Sequence, residues 1–309
     1  TDWGTRDIAD TEKIYDGMSY HQGSVWPLFT GWAALAEYRG NQPLAGFQLL
    51  KENANLTTAQ DLGAVTELLS GDFFVPFGRS TSHQLWSSAM VITPTLRGLF
   101  GISVDSQSKT VMVNPHLPAN WNHAEIKNLP IGGQTVDLHF VRDKGAVVVS
   151  LGGAGGGITL LTSEPEARSA RPEGKNTHSG QQLLIPDQPV QIVPVFQPPF
   201  PGGRAQFPRI VNEEYSGSAL TLTIEGPAGS EARFPLVLSG PVSTGSGVKL
   251  RATGADLLAS VPVETGAEPA SPGKSSRPAR PPVSQAPAAI GVHFPPGTGW
   301  QTVTVRLDW

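Results

Sequence analysis

The sequence predicts an α + β multidomain chain, with helices confined to residues 1–101 and strands filling the rest. Three observations predict it. Apolar residues recur at helical spacing up to Phe100. From Ile102 onward, short β-branched runs alternate with polar residues between Gly, Pro, Asn and Asp. The 35 glycines and 28 prolines among 309 residues demand many turns and argue against an all-helical protein.

Pro27 to Arg39 reads as the first helix. Pro27 suits an opening turn, Leu28, Trp32 and Leu35 share one face, and Gly40 suits the stop. Pro43 to Asn53 reads as a second helix with Leu44, Phe47 and Leu50 inward. Gly63 to Ser70 is expected to make one or two helical turns. Ser82 to Phe100 carries the longest helical period, with Ser82 as N-cap, Leu85, Ala89, Ile92, Leu96 and Leu99 along one stripe, and Gly101 after the end. Pro94 inside it predicts a kink.

Thr110–Val113, Val136–Val141 and Ala146–Leu151 are expected strands of a β-rich domain over residues 102–200. Gly152 to Gly157 is expected to be a hairpin loop. It lacks the following helix and lysine that a phosphate cradle uses. Pro198 to Pro208 reads as a linker. Ala219–Ile224, Phe234–Leu238 and Thr302–Leu307 are expected strands of a second β-rich unit over residues 206–309. Within it, residues 264–289 are rich in Pro, Ala, Ser and Gly, too poor in apolar area to order themselves, and are expected to be a disordered excursion.

Composition removes several function classes. The net charge of −4 gives no indication of a nucleic-acid partner. The absence of cysteine excludes disulfide frameworks, thiol nucleophiles and cysteine-held metal sites. No apolar run approaches the roughly 20 residues that span a bilayer, so no membrane partner is expected. The chain opens on Thr1 with no basic and apolar leader, which leads to the expectation that Thr1 is not the natural start. The composition does not distinguish a cytoplasmic from an exported protein.

Chemistry concentrates in three polar–aromatic clusters: Tyr20 to Pro27, Gly63 to Gly71, and Thr81 to Ser88. Tyr20, Trp26 and Trp86, flanked by His21, Gln22, His83 and Gln84, have the residue types of a sugar site. Aromatic faces stack on pyranose C–H faces, and imidazole and amide groups bond the hydroxyls. Glu67 is the one carboxylate inside a mainly apolar local segment, beside Val65, Leu68 and Leu69. A carboxylate so placed can activate water as a general base. Asp61 and Asp72 are rivals, but each adjoins turn signals. His21 and His83 lack a third ligand at His-x-x-x-His spacing, so no metal and no cofactor are expected.

Four motifs together resemble the C-terminal part of bacterial amylo-α-1,6-glucosidases, glycogen-debranching-enzyme-like members of the six-hairpin glycosidases. They are TDWGTRD at Thr1–Asp7, SYHQGSVWP at Ser19–Pro27, TELLSG at Thr66–Gly71 and SHQLWSSA at Ser82–Ala89. LRGLFG at Leu96–Gly101 and NPHLPANW at Asn114–Trp121 resemble that family's exit into a β domain. The resemblance covers roughly residues 1–140. It implies a partial (α/α)6 toroid over residues 1–101, contributing C-terminal helices only, followed by β-sandwich-like regions. It implies inverting hydrolysis of an α-glucan or oligosaccharide, with Glu67 as general base and Tyr20, His21, Gln22, Trp26, His83, Gln84 and Trp86 on the sugar-binding rim. The family's general acid lies upstream of the segment that matches Thr1. The expected macromolecular partner is therefore an N-terminal part of the same polypeptide, and a helical flank without it is expected to expose apolar surface. A non-catalytic carbohydrate-binding or accessory module is the alternative.

Overall fold

The structure is a computed structural model that describes residues 1–153, 157–170, 181–239, 250–259 and 287–309. Its helices are α1 (Pro27–Arg39), α2 (Pro43–Leu56) and α3 (Leu85–Pro94). α1 and α2 each open on a proline, whose fixed φ suits a first helical turn and whose missing N–H costs nothing there. Glycines let the helical layer close up. Gly31 of α1 faces Met90 of α3, and Gly46 and Gly98 both press on the ring of Tyr38.

The expected partial (α/α)6 toroid is corrected. Among the described residues, three helices of 13, 14 and 10 residues stand beside four β-sheets, and no toroid is present. The stretch from Thr57 to Gln84, where a further helical hairpin would be needed, is turns, extended segments and isolated bridges. Gly63–Ser70 is not helical. Its backbone pairs instead with Val25, Val75 and Thr81.

Strands follow in two units. The first combines a three-stranded sheet of β1 (Ser103–Asp105), β2 (Thr110–Met112) and β6 (Thr159–Leu161) with a five-stranded sheet. The latter is ordered β3 (His123–Ile131), β4 (Gln134–Asp143), β5 (Ala146–Gly152), β8 (Gln182–Pro186), β7 (Arg168–Ala170). Two-residue turns join β3 to β4 at Gly132-Gly133 and β4 to β5 at Lys144-Gly145. All four residues have positive φ, the conformation that matches strand twist. The core of this unit, centred on Leu138, Phe140 and Val149, is continuous with Tyr38, Phe47, Leu50 and Leu99 from the helical layer.

The second unit is a sandwich of two four-stranded sheets. One runs β10 (Arg209–Ser216), β11 (Ala219–Pro227), β16 (Trp300–Asp308), β13 (Arg251–Thr253). The other runs β14 (Asp256–Ala259), β15 (Pro287–His293), β12 (Glu231–Leu238), β9 (Val190–Ile192). Leu220, Leu222, Ile224 and Val305 of the first sheet share a core with Phe234, Leu236, Ile290 and Val292 of the second, and Trp309 packs against it.

Several local expectations change. α3 starts at Leu85 with Gln84 as its N-cap, not at Ser82. After Pro94 the chain continues as a π-helical turn, Thr95–Leu99. Leu85 and Ile92 are exposed, as is Trp32, so the apolar stripes are wider than the faces that pack. The strands flanking Gly152–Gly157 do not pair with each other, since β6 pairs parallel with β2 and β5 pairs with β4 and β8; residues 154–156 of that expected loop lie outside the described residues. The segment 198–208 forms no regular element but is strapped to the helical part. Phe74 and Gly202–Gly203 exchange backbone hydrogen bonds, and the Asp2 carboxylate accepts from the Gln206 N–H at 2.7 Å and the Phe207 N–H at 3.2 Å. The disorder expected over 264–289 falls mostly outside the described residues.

Candidate active site

The site is built on a crossing of extended segments. Val25 and Leu69 exchange backbone hydrogen bonds at 2.9 and 3.0 Å, and bridges from Arg6 to Val25 and from Leu69 to Pro76 widen the crossing. On the far side of the 65–69 segment, the Glu67 N–H donates to Thr81 O at 3.0 Å and the Gln84 N–H to Val65 O at 2.9 Å. The segment is extended because it pairs on both edges. Val65 and Leu69 are buried in one apolar cluster and Leu68 in an adjoining one, while Glu67 sits between them at a bend in the segment.

Glu67 is half-buried. The Tyr20 hydroxyl donates to its Oε1 at 2.6 Å, and the Thr81 N–H lies 3.5 Å from its Oε2. The carboxylate raises the Tyr20 phenol above its ordinary range, first through that hydrogen bond and then through burial. Around this pair the rings are ordered. His21 stacks on Trp26 at 5.5 Å with planes 12° apart, and Tyr20 meets Trp26 edge-on at 5.5 Å and Phe77 edge-on at 6.2 Å. Trp26 is buried, and its indole N–H has no partner among the described residues.

Glu67, Tyr20, His21 and Trp26 thus come together as one cluster. The other expected rim residues are engaged differently. Gln22 is exposed and accepts from Ser19 Oγ at 3.2 Å. The exposed His83 ring pairs with Asp61 at 3.2 Å. The Gln84 side chain accepts the Leu85 N–H at the start of α3. Trp86 follows on α3, 44% exposed. Sequence reasoning missed Phe77, which walls the cluster, and the Thr81 N–H, which faces the carboxylate. Neither has a local signal, since both reach the cluster through pairing across a loop: the Phe77 N–H donates to Leu68 O, and Thr81 O accepts the Glu67 N–H. Among the described residues no group of His, Asp and Glu is placed to hold a metal ion, and no helix is long and apolar enough to cross a membrane.

No family model and no curated protein matches this chain.

Proposed function

We propose that this chain supplies the general base and part of the sugar-binding rim of an inverting glycoside hydrolase acting on α-glucosidic linkages, of the debranching α-1,6 type or a related α-glucan hydrolase. The observation that carries this reading is the 2.6 Å hydrogen bond from Tyr20 to Glu67 beside the His21–Trp26 stack. It fixes the carboxylate in one orientation while leaving its second oxygen to a weak donor. In the reaction, Glu67 takes a proton from the water that attacks the anomeric carbon. Tyr20 keeps the carboxylate aimed, and the exposed edge of His21 bonds a sugar hydroxyl. The leaving oxygen is protonated by a carboxylic acid outside this cluster, at the separation of about 6.5–9.5 Å that inversion needs.

The test is Glu67→Gln in the enzyme as it exists, with turnover of α-glucosides and oligosaccharide binding measured separately. Turnover is expected to fall by about 10²–10⁴-fold with binding retained. Unchanged turnover overturns the assignment. Binding of maltotriose by a wild-type protein that releases no product moves the reading to a non-catalytic carbohydrate-binding protein.

A further inference from the structure

A cleft of about 210 Å³ opens where the start of α2, the segment 115–119 and strands β8 to β10 meet. None of its lining residues belongs to the Glu67 cluster. It lies between the helical layer and both β units, a place where ligand sites recur.

Its polar groups favour one class of ligand. Among the described residues Arg142 is the one cationic side chain lining the cleft, and all its N–H groups are spent. Nε donates to Trp121 O at 3.3 Å, Nη1 to the Asp187 carboxylate and to Gln191 Oε1 at 3.4 Å, and Nη2 to Leu117 O at 3.2 Å and Pro118 O at 3.3 Å. Among the described residues, an anion entering the cleft meets no free guanidinium donor. The acceptors are in excess. The Asp187 side chain is only 7% exposed, yet its Oδ2 has no hydrogen-bond partner among the described residues. Glu164 and Glu213 line the same cleft, and Glu213 commits Oε1 to the Leu44 N–H at 2.6 Å. His116 adds no positive charge at neutral pH, because burial lowers its ring to about 4. Three carboxyl groups thus share the cleft with one saturated guanidinium, and the other walls mix Pro43, Leu44 and Phe47 with Asn41, Gln188 and Gln191.

We propose that this cleft binds a small primary alkylammonium ion. The ammonium donates to Asp187 Oδ2 and to the Glu164 carboxylate, and the aliphatic stem lies along Pro43, Leu44 and Phe47. A charged donor on a buried carboxylate makes a stronger hydrogen bond than a sugar hydroxyl does.

The experiment is calorimetric titration of the full chain with 1,5-diaminopentane, in parallel with glucose and inorganic phosphate. The diamine is expected to bind at one site, and prior saturation with glucose or phosphate to leave its affinity unchanged. Asp187→Asn should weaken diamine binding at least ten-fold and Glu164→Gln several-fold, with Glu67→Gln binding as wild type. Asp187→Asn disturbs the Arg142 pair. If circular dichroism finds that variant unfolded, Glu164→Gln, at a half-buried position, decides alone. The proposal is overturned if wild type takes up no diamine, if glucose or phosphate displaces the diamine, or if the folded variants of Asp187 and Glu164 bind like wild type. It is also overturned if Glu67→Gln loses as much affinity as they do, which means scattered binding to surface carboxylates.

Discussion

The Glu213 carboxylate, on strand β10, accepts the backbone N–H of Leu44 in the first turn of α2 at 2.6 Å, across 169 residues of chain. α2 has no side-chain cap of its own, and its N-cap residue is Gln42. Glu213 supplies the missing acceptor from another unit. Gln42 answers with both of its amide groups. Its Nε2 donates to Glu213 O at 3.0 Å, and its Oε1 accepts the Glu213 N–H at 2.6 Å. The terminal sandwich and the helical layer are clasped at this point.

The clasp has a pH signature. Burial pushes the Glu213 carboxyl up from its ordinary 4.5 to about 7. Between those values the folded chain holds more protons than the unfolded one, so this group's contribution to stability is full below pH 4.5 and is lost as the pH rises through about 7. Urea unfolding at pH 4.5 and pH 7.5 should find wild type losing stability relative to Glu213→Gln, by an amount on the order of 3 kcal/mol for a shift of this size. Parallel pH profiles for the two proteins would contradict the buried placement of this carboxyl.

His116 acts in the opposite direction. Burial lowers its ring from 6.5 to about 4, so the folded chain binds fewer protons than the unfolded one across that window. Its share of stability is therefore present above pH 6.5 and lost as the pH falls toward 4. Replacement by Phe, which keeps a ring against Tyr38 at the 5.6 Å stacking distance, should flatten the acid limb of the stability curve. Thermal melts from pH 4 to pH 7 are the check, and an unaltered acid limb is the contrary result.

The Tyr20–Glu67 contact can be read without any substrate. The carboxylate raises the Tyr20 phenol above its ordinary range, and Glu67→Gln removes the charge that does so. In that variant Tyr20 should ionise at lower pH than in wild type, as followed by ring-carbon NMR of labelled tyrosine. A Tyr20 titration that does not move would place the two side chains apart in solution.

α1 and α3 pack close together at Gly31, where a Cβ would run into Met90. Gly31→Ala should destabilise the chain by about 1–3 kcal/mol, despite the better helix propensity of alanine. Gly78, with open space around its Cβ position, is the control and should change stability little. Equal midpoints for the two variants in chemical unfolding would contradict the close helix approach.

Much of the local structure was legible in the residues. α1 has the expected bounds, α2 runs three residues past Asn53, and the expected strands at 136–141, 146–151, 219–224 and 302–307 lie inside β4, β5, β11 and β16. These are places where a periodic apolar pattern and a local stop signal coincide. What escaped was non-local. The 65–69 segment has helix-forming residues, but Val25 and Thr81 claim its backbone groups from both sides. β6 pairs with β2, which lies 49 residues earlier at Thr110–Thr159, and nothing in the glycine run between β5 and β6 signals that crossover. The toroid expectation came from a motif resemblance, and the count of three helices overrules it. In the site, the residue types around Glu67 were readable. Which of them meet was not: Tyr20 reaches across 47 positions, while His83 turns to Asp61.

The strap at 198–208 bears on how this chain could have been assembled. Asp2, Phe74 and the backbone of Gly202 to Phe207 are mutually dependent, each supplying what another lacks. A sandwich transplanted onto a foreign host would arrive without the acceptors that its leading segment uses, and the donor would be left with a bare carboxylate at Asp2. Cutting the chain at this joint therefore leaves unpaired polar groups on both sides.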